Sequence, residues 1–263
     1  MRTQKIDPLF KVLGPRYTSE YFRNEAEELG KELAREGIVV FNDFLSEKAI
    51  SALKREADFL KPKAYRSSSA YNLYVKPTDP DFPEDSPRNR MFRTTKGCIP
   101  NDLLPQVSLL RFIYNSPIVR SFLCKLLKVS VLYPYADALS SININYYDRG
   151  DALQWHFDNA DFAITLLVKQ PIKGGVYQYF TDMRTKNGVE DYEYARKCID
   201  GEVCPQEKSL REGGLMIFRG NQSLHRVTEV EEGERVLITF NFNTKPDVSL
   251  SENSRQTFFG RTK

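Results

Sequence analysis

The second half of the chain limits the possible fold most, because short apolar runs separated by glycine turns follow one another there. Residues 141–147 alternate between apolar and polar side chains, which is typical of a half-buried strand. One face of this strand carries Ile142, Ile144 and Tyr146, and the other carries Asn143, Asn145 and Tyr147. Further runs predict strands at Phe162–Val168, Val176–Phe180, Leu215–Phe218, Arg226–Val230 and Val236–Phe242. Many short strands with few helices between them predict a mainly β fold, either a sandwich or a jelly-roll barrel.

Helical patterns come before these strands. A helix is predicted at about 19–35, where Gly37 ends it, and another after the N-cap Ser46 as far as about Leu60. A short buried strand, Ile38–Phe41, separates the two. Ser116 and Pro117 open a further helix that runs to about Lys128. We therefore expect residues 1–60 and 106–130 to be supporting helices with flanking segments.

Residues 61–105 contain many prolines and little periodicity, which is typical of a lid or a substrate-binding loop. With 263 residues, the chain is long enough for one large domain, 1–263, whose β core spans 140–245.

The composition, 41% hydrophobic and 28% charged residues, is that of a globular protein. A net charge of +3 without a clustered basic stretch argues against a nucleic-acid partner. The first residues lack the apolar stretch expected of a secretory leader, and no apolar run is long enough for a membrane span. The expected location is the cytoplasm, without a membrane partner.

The chain has only two histidines, His156 and His225, and Asp158 follows the first by two residues. Residues two apart on a strand share a face, so His156 and Asp158 could bind one ion together. Two histidines and a carboxylate form the facial triad that holds Fe(II) and leaves coordination positions open. A structural role would suit either histidine alone, but both in this pattern favour a metal site.

Arg235 lies in the apolar run 235–240. A buried guanidinium needs an anion, which it can bind with two parallel hydrogen bonds. Glu231 or Glu234 could supply that anion at the rim of a barrel. Next to an iron site, the distal carboxylate of 2-oxoglutarate is the better candidate.

The combined pattern resembles the Fe(II)/2-oxoglutarate-dependent dioxygenase superfamily over about 140–245. It comprises Asn145-Tyr-Tyr147-x-x-Gly150-x-x-Leu153-x-x-His156-x-Asp158, then Gly213-Gly214, His225-Arg-Val227, Gly233 and Arg235. The resemblance implies a double-stranded β-helix, a jelly-roll core like that of the cupins. It also implies Fe(II), 2-oxoglutarate and O2, with His156, Asp158 and His225 as catalytic iron ligands. Arg235 would anchor 2-oxoglutarate, with Asn145 and Tyr147 beside it.

A closer resemblance is to the radical halogenases of free amino acids, the lysine-type enzymes, and to their hydroxylase relatives. It rests on 155–158, Asp161-Phe162, Gly174-Gly175, 224–227 and Phe259-Gly260-Arg261. Those halogenases carry glycine where this chain has Asp158, and the freed position takes chloride. A carboxylate there implies that chloride is excluded and that the substrate is hydroxylated.

The resemblance also implies substrate-binding residues for a free amino acid. Arg93 stands at a similar distance before the His-x-Asp pair as the arginine that binds the substrate carboxylate in those halogenases. Asn159 replaces their acidic residue, and Asp161 follows two positions later, so lysine is not implied as the substrate. Asn241 and Asn243, near the end of the last strand, could also face the substrate.

Three alternatives stay open. The same mechanism could desaturate or cyclise an amino-acid-derived metabolite, or it could act on a macromolecule such as an alkylated nucleobase. The barrel could also be a non-enzymatic binding protein.

Overall fold

The computed structural model describes residues 7–263, which form two main antiparallel sheets and flanking helices. The strands are β1 (Ile38–Phe41), β2 (Tyr65–Tyr71), β3 (Phe92–Ile99), β4 (Ile142–Tyr147), β5 (Leu153–His156), β6 (Ala163–Lys169), β7 (Lys173–Gly174), β8 (Tyr177–Phe180), β9 (Thr185–Lys186), β10 (Val189–Glu190), β11 (Gln206–Lys208), β12 (Leu215–Phe218), β13 (Leu224–Val227), β14 (Val230–Glu232) and β15 (Arg235–Phe240). The helices are α1 (Leu9–Val12), α2 (Ser19–Asn24), α3 (Ala26–Glu36), α4 (Glu47–Leu60), α5 (Leu109–Asn115), α6 (Pro117–Leu127), α7 (Tyr192–Ile199) and α8 (Glu252–Phe259). Single 3-10 turns lie at Lys61–Lys63 and Asn101–Leu103.

The larger sheet has seven strands in the order β1-β12-β6-β15-β4-β3-β2, and the smaller has four in the order β11-β8-β13-β5. Two short ribbons, β9–β10 and β7–β14, complete the strands. The expectation of a mainly β protein with flanking helices is confirmed.

The alternation predicted for β4 separates the two faces of the large sheet. Ile144 and Tyr146 belong to the main apolar core, together with side chains of the helices such as Leu53 of α4 and Phe122 of α6. Asn145 and Tyr147 are buried on the opposite face, which lines the large cavity. The helices therefore support the sheet from outside and leave its inner face for polar residues.

The predicted helix starts are confirmed where a side-chain cap fixes them. The Ser46 hydroxyl accepts a hydrogen bond from the Ala49 amide at the start of α4, and Ser116 caps α6 in the same way. The single helix expected at about 19–35 is divided into α2 and α3 at Glu25, which is the last cap of one helix and the first of the next. Gly37 ends α3 with a φ of 72°, a conformation that glycine adopts without strain.

The expectation of a lid or loop without regular structure at 61–105 is wrong for two stretches. β2 and β3 pair along their whole length, and β3 joins the large sheet through β4. β2 carries serines at three successive positions, 67–69, and therefore shows no apolar alternation. The segment between the two strands, 72–91, contains no regular helix or strand.

Within residues 7–263, no helix is both long and apolar enough to cross a lipid bilayer.

Candidate iron and cosubstrate site

The two histidines lie on neighbouring strands of the small sheet. His156 ends β5 and is directly opposite His225 of β13, and their ring centroids are 4.2 Å apart. Asp158 follows β5, where its amide donates to the Gly220 carbonyl at 2.9 Å. The Asp158 Oδ1 atom lies 3.4 Å from His156 Nε2 and 3.7 Å from His225 Nε2. One ligand atom from each of the three residues thus falls within 4.8 Å of the others, which suits a single metal ion.

Backbone carbonyls fix the orientation of both imidazoles. His156 Nδ1 lies 2.7 Å from the Gln154 carbonyl, and His225 Nδ1 lies 2.9 Å from the Ser223 carbonyl. A carbonyl can only accept, so each Nδ1 carries the proton and each Nε2 presents its lone pair towards Asp158. Binding of a metal through Nε2 requires this tautomer.

The protonation states agree with a ligand role. Burial, followed by the neighbouring His156, lowers the pKa of His225 to about 4, so that it is neutral at pH 7. Burial would raise the pKa of Asp158, but the two histidines in their protonated forms, together with Lys96, outweigh it and lower that pKa. Asp158 is therefore ionised and able to bind a cation.

Gly220 makes room for the Asp158 carboxylate. A methyl group at Gly220 would overlap that carboxylate, although the backbone of Gly220 has no positive φ. Close approach, not turn geometry, therefore explains the glycine at this position.

Arg235 lies at the start of β15, directly opposite Tyr147 of β4. The residue is 4% exposed, and its Nη1 atom is buried without a hydrogen-bond partner. Burial lowers its pKa. Both glutamates that could have paired with it are engaged elsewhere, because Glu234 pairs with Lys61 and Lys169, and Glu231 pairs with Lys173. A buried guanidinium in this state fits an anionic ligand in the cavity.

The metal ligands and Arg235 line one cavity of about 290 Å³ between the two sheets. Asn145 and Tyr147 line it as well. Asn145 Oδ1 accepts from Lys96 Nζ at 2.8 Å, and Asn145 Nδ2 lies 3.4 Å from the Leu237 carbonyl. The structure thus brings together all six residues expected for iron and cosubstrate.

Two of the five expected substrate residues, Asn159 and Asn241, line the cavity. The Asn241 amide donates to the Ser140 carbonyl at 2.7 Å and to Asn143 Oδ1 at 3.0 Å, so its orientation is fixed.

The other three, Arg93, Asp161 and Asn243, lie outside the cavity lining. Arg93 is exposed on the outer face of β3 and donates to Ser68 Oγ at 2.9 Å. Asp161 is exposed and accepts from the Asn221 amide at 2.7 Å. The backbone of Asn243 pairs with Tyr133, and its own Nδ2 is buried without a partner.

Sequence reasoning did not single out several residues that line the cavity. From β2 and β3 come Ser67, Ser69, Tyr71, Thr94 and Lys96, and from the C-terminal segment Leu250, Phe258 and Phe259. Tyr177 of β8 also lines it, and its hydroxyl is buried without a partner. Alternation along β3 could have indicated Thr94 and Lys96, had that strand been recognised.

Comparison with known proteins gives a consistent result. Residues 21–259 match the sequence model of the Halogenase D family. No curated protein matches the chain.

Several solved structures share the fold at low sequence identity. A 2OG-Fe(II) oxygenase family protein from Burkholderia pseudomallei has a TM-score of 0.55 and 10% identity over 85% of this chain and 93% of its own. A Trichoplax adhaerens prolyl hydroxylase, in complex with a hypoxia-inducible-factor peptide, has a TM-score of 0.55 and 12% identity over 84% of this chain and 89% of its own. The α-ketoglutarate-dependent carbocyclase SnoK from nogalamycin biosynthesis has a TM-score of 0.58 and 13% identity over 89% of this chain and 92% of its own.

Proposed function

The chain belongs to the Halogenase D family and has the fold of the Fe(II)/2-oxoglutarate oxygenases, and from this we propose that it is a non-haem iron dioxygenase. It hydroxylates an unactivated C–H bond of a small substrate, a free L-amino acid or a derivative. One observation carries the proposal. The ligand atoms of His156, Asp158 and His225 converge in a cavity that also contains the buried, unpaired Nη1 of Arg235.

The residues present fit both groups. His156, Asp158 and His225 would hold Fe(II), because their Nε2 and carboxylate atoms already point at one another and the two Nδ1 atoms are engaged by the backbone. When bound, iron, 2-oxoglutarate and O2 would supply the oxidant for the C–H bond and leave succinate. Arg235 would bind the distal carboxylate of the cosubstrate, with Asn145 and Tyr147 beside it.

The chain's own contribution is orientation and exclusion of water. Arg235 and Tyr147 lie side by side on adjacent strands, with the guanidinium carbon 5.7 Å from the Tyr147 ring centroid, so that an anion at Arg235 has a fixed position. Apolar side chains such as Phe218 and Phe258 line other parts of the wall. A dry wall strengthens the interactions of the polar groups in the cavity.

Asp158 decides between the two activities expected within the family. In the halogenases that the sequence resembles, glycine stands at this position and leaves room for chloride. Here an ionised carboxylate fills it, next to Gly220, which provides the space. The added negative charge opposes a halide, so the reaction is hydroxylation.

The cavity favours a small substrate over a macromolecule. Its volume of about 290 Å³ lies just below the ~300–1,000 Å³ usual for small-molecule sites, and it must hold the cosubstrate as well. Substrate binding is assigned to Asn159 and Asn241, which line it. The proposed arrangement of the two sheets that enclose it is a double-stranded β-helix. Consumption of 2-oxoglutarate fits the proposed cytoplasmic location.

The test is turnover of an L-amino-acid panel with Fe(II), 2-oxoglutarate and O2, in which succinate and product masses are measured. A gain of about 16 mass units with stoichiometric succinate is expected, and the His225→Ala variant, which lacks one metal ligand, is the inactive control. A loss of about 2 units would replace hydroxylation by desaturation or ring closure. A protein that neither binds Fe(II) nor forms succinate would exclude the function altogether.

A further inference from the structure

Two cationic side chains face the cavity from the same row of the large sheet. Gly97 of β3 is opposite Tyr146 of β4, so Lys96 is level with Tyr147, and Arg235 of β15 is opposite Tyr147 on its other side. Residues level with one another in an antiparallel sheet point to the same face. Both Lys96 and Arg235 line the cavity, one on each side of Tyr147.

Lys96 has a neutral partner. Its Nζ donates to Asn145 Oδ1 at 2.8 Å and lies 5.5 Å from the centroid of the Phe258 ring. An ammonium has three donors, so this single bond leaves two of them for a ligand.

The cavity wall contains few other charges. Among the described residues that line it, Asp158 is the only carboxylate, and Lys96 and Arg235 are the only lysine and arginine. Asp158 is already assigned to the metal. An ammonium group on a substrate side chain would therefore find no free anion in this wall, and it would face the Lys96 ammonium instead.

Counting charges identifies what is missing. A divalent iron with Asp158 and the keto-acid end of 2-oxoglutarate is neutral, and Arg235 with the distal carboxylate is neutral too. Lys96 is left over as one positive charge. Buried or partly buried charges are usually paired, so the substrate should supply one negative charge.

We propose that Lys96 binds a carboxylate of the substrate and that the enzyme selects substrates with a net negative charge, such as L-glutamate or L-aspartate, over neutral and basic amino acids. This proposal rests on the proposed function of the site and names its substrate class. Asn145, which holds the Lys96 ammonium, positions it next to the cosubstrate.

The first experiment compares ligands matched in shape but not in charge. Binding of L-glutamate against L-glutamine, L-aspartate against L-asparagine, and L-lysine is measured by calorimetry on the anaerobic enzyme loaded with Fe(II) and 2-oxoglutarate. Each acid should bind about 10- to 100-fold more tightly than its amide, because a charge-assisted hydrogen bond replaces a neutral one. L-lysine should bind weakest.

The second experiment assigns the preference to Lys96. Lys96→Met should abolish the preference of acid over amide, while Lys96→Arg, which keeps the charge, should retain most of it. Lys186→Met is the matched control, since Lys186 is exposed on β9 and does not line the cavity. The melting temperature of each variant checks that it folds.

The affinity for 2-oxoglutarate separates the possible failures. An enzyme that binds no 2-oxoglutarate and forms no succinate refutes the proposed function itself. If the wild type binds 2-oxoglutarate but prefers L-lysine, or binds no acid in the panel, the substrate class is wrong. If Lys96→Met weakens the binding of 2-oxoglutarate and leaves the preference for acids over amides intact, Lys96 binds the cosubstrate and the proposal fails.

Discussion

Replacing Arg235 by methionine should have opposite effects on the empty and the loaded protein. In the empty protein, the change removes a buried guanidinium whose Nη1 has no partner and keeps most of the side-chain volume. Substituting an uncompensated buried charge by an apolar group is neutral or stabilising. In the loaded protein, the same change removes the partner of a buried carboxylate, which costs about 2–5 kcal/mol, or about a 30- to 5,000-fold weaker Kd for 2-oxoglutarate.

Thermal unfolding with anaerobic Fe(II) measures both effects. At 100 times its Kd, 2-oxoglutarate stabilises the wild type by about 2.7 kcal/mol, which raises the Tm by roughly 5–11 °C for a chain of this size. At the same concentration, Arg235→Met should gain less than about 1 kcal/mol, or roughly 3 °C. The reasoning is refuted if the variant keeps the full ligand-induced shift. A Tm of the empty variant several degrees below that of the wild type would equally refute it, since Arg235 would then have a structural partner.

Three further predictions concern other positions. Gly220→Ala should weaken Fe(II) binding about 10- to 100-fold with little change in Tm, because the methyl group displaces the Asp158 carboxylate. A metal titration and a thermal unfolding measurement on the same variant check the two effects. Tyr177→Phe should leave the Tm unchanged, because the lost hydroxyl has no partner in the protein. The same change should raise the KM for 2-oxoglutarate or for the substrate about 2- to 10-fold. An unchanged KM would show that the hydroxyl contacts no ligand. Burial would raise the pKa of Asp137, but hydrogen bonds from Leu250, Ser140 and Leu139 outweigh it and lower that pKa. A lowered pKa stabilises the fold above the ordinary value of 3.8, so denaturant unfolding should show Asp137→Asn about 1–3 kcal/mol less stable at pH 7 and a difference that shrinks as the pH falls below 3.8. A difference independent of pH would contradict the assignment.

The predicted parts of the site are those that follow from strand alternation. A period of two fixes which side chains share a face, so the pattern of 141–147 places Asn145 and Tyr147 together without knowledge of the fold. The same rule puts His156 and Asp158 on one side. His225 lies opposite His156 because β5 pairs with β13. Alternation within one strand does not predict this pairing, so the expectation rests on the sequence motif.

The missed parts have a common physical cause. β2 and β3 line the cavity with serine, threonine and lysine side chains beside Tyr71 and Cys98, so the apolar alternation that reveals a strand is absent. The weak alternation therefore follows from the position of these strands at the cavity. Arg93 is expected at the substrate but lies on the outer face of β3. Its distance from the His-x-Asp pair along the sequence does not determine the face of the strand on which its side chain lies.

Asp158 and Gly220 together are the basis of the proposed difference between this member of the Halogenase D family and the halogenases that its sequence resembles. The carboxylate fits beside the two Nε2 atoms only because Gly220 carries no side chain, and its negative charge opposes a halide. Asp158→Gly should therefore lose hydroxylation and, in chloride, give a product about 34 mass units heavier than the substrate. Asp158→Asn keeps the volume of the side chain but loses its charge, so it should give neither product. Chlorination by the wild type, or by Asp158→Asn as well as by Asp158→Gly, would show that the space at this position does not control the outcome.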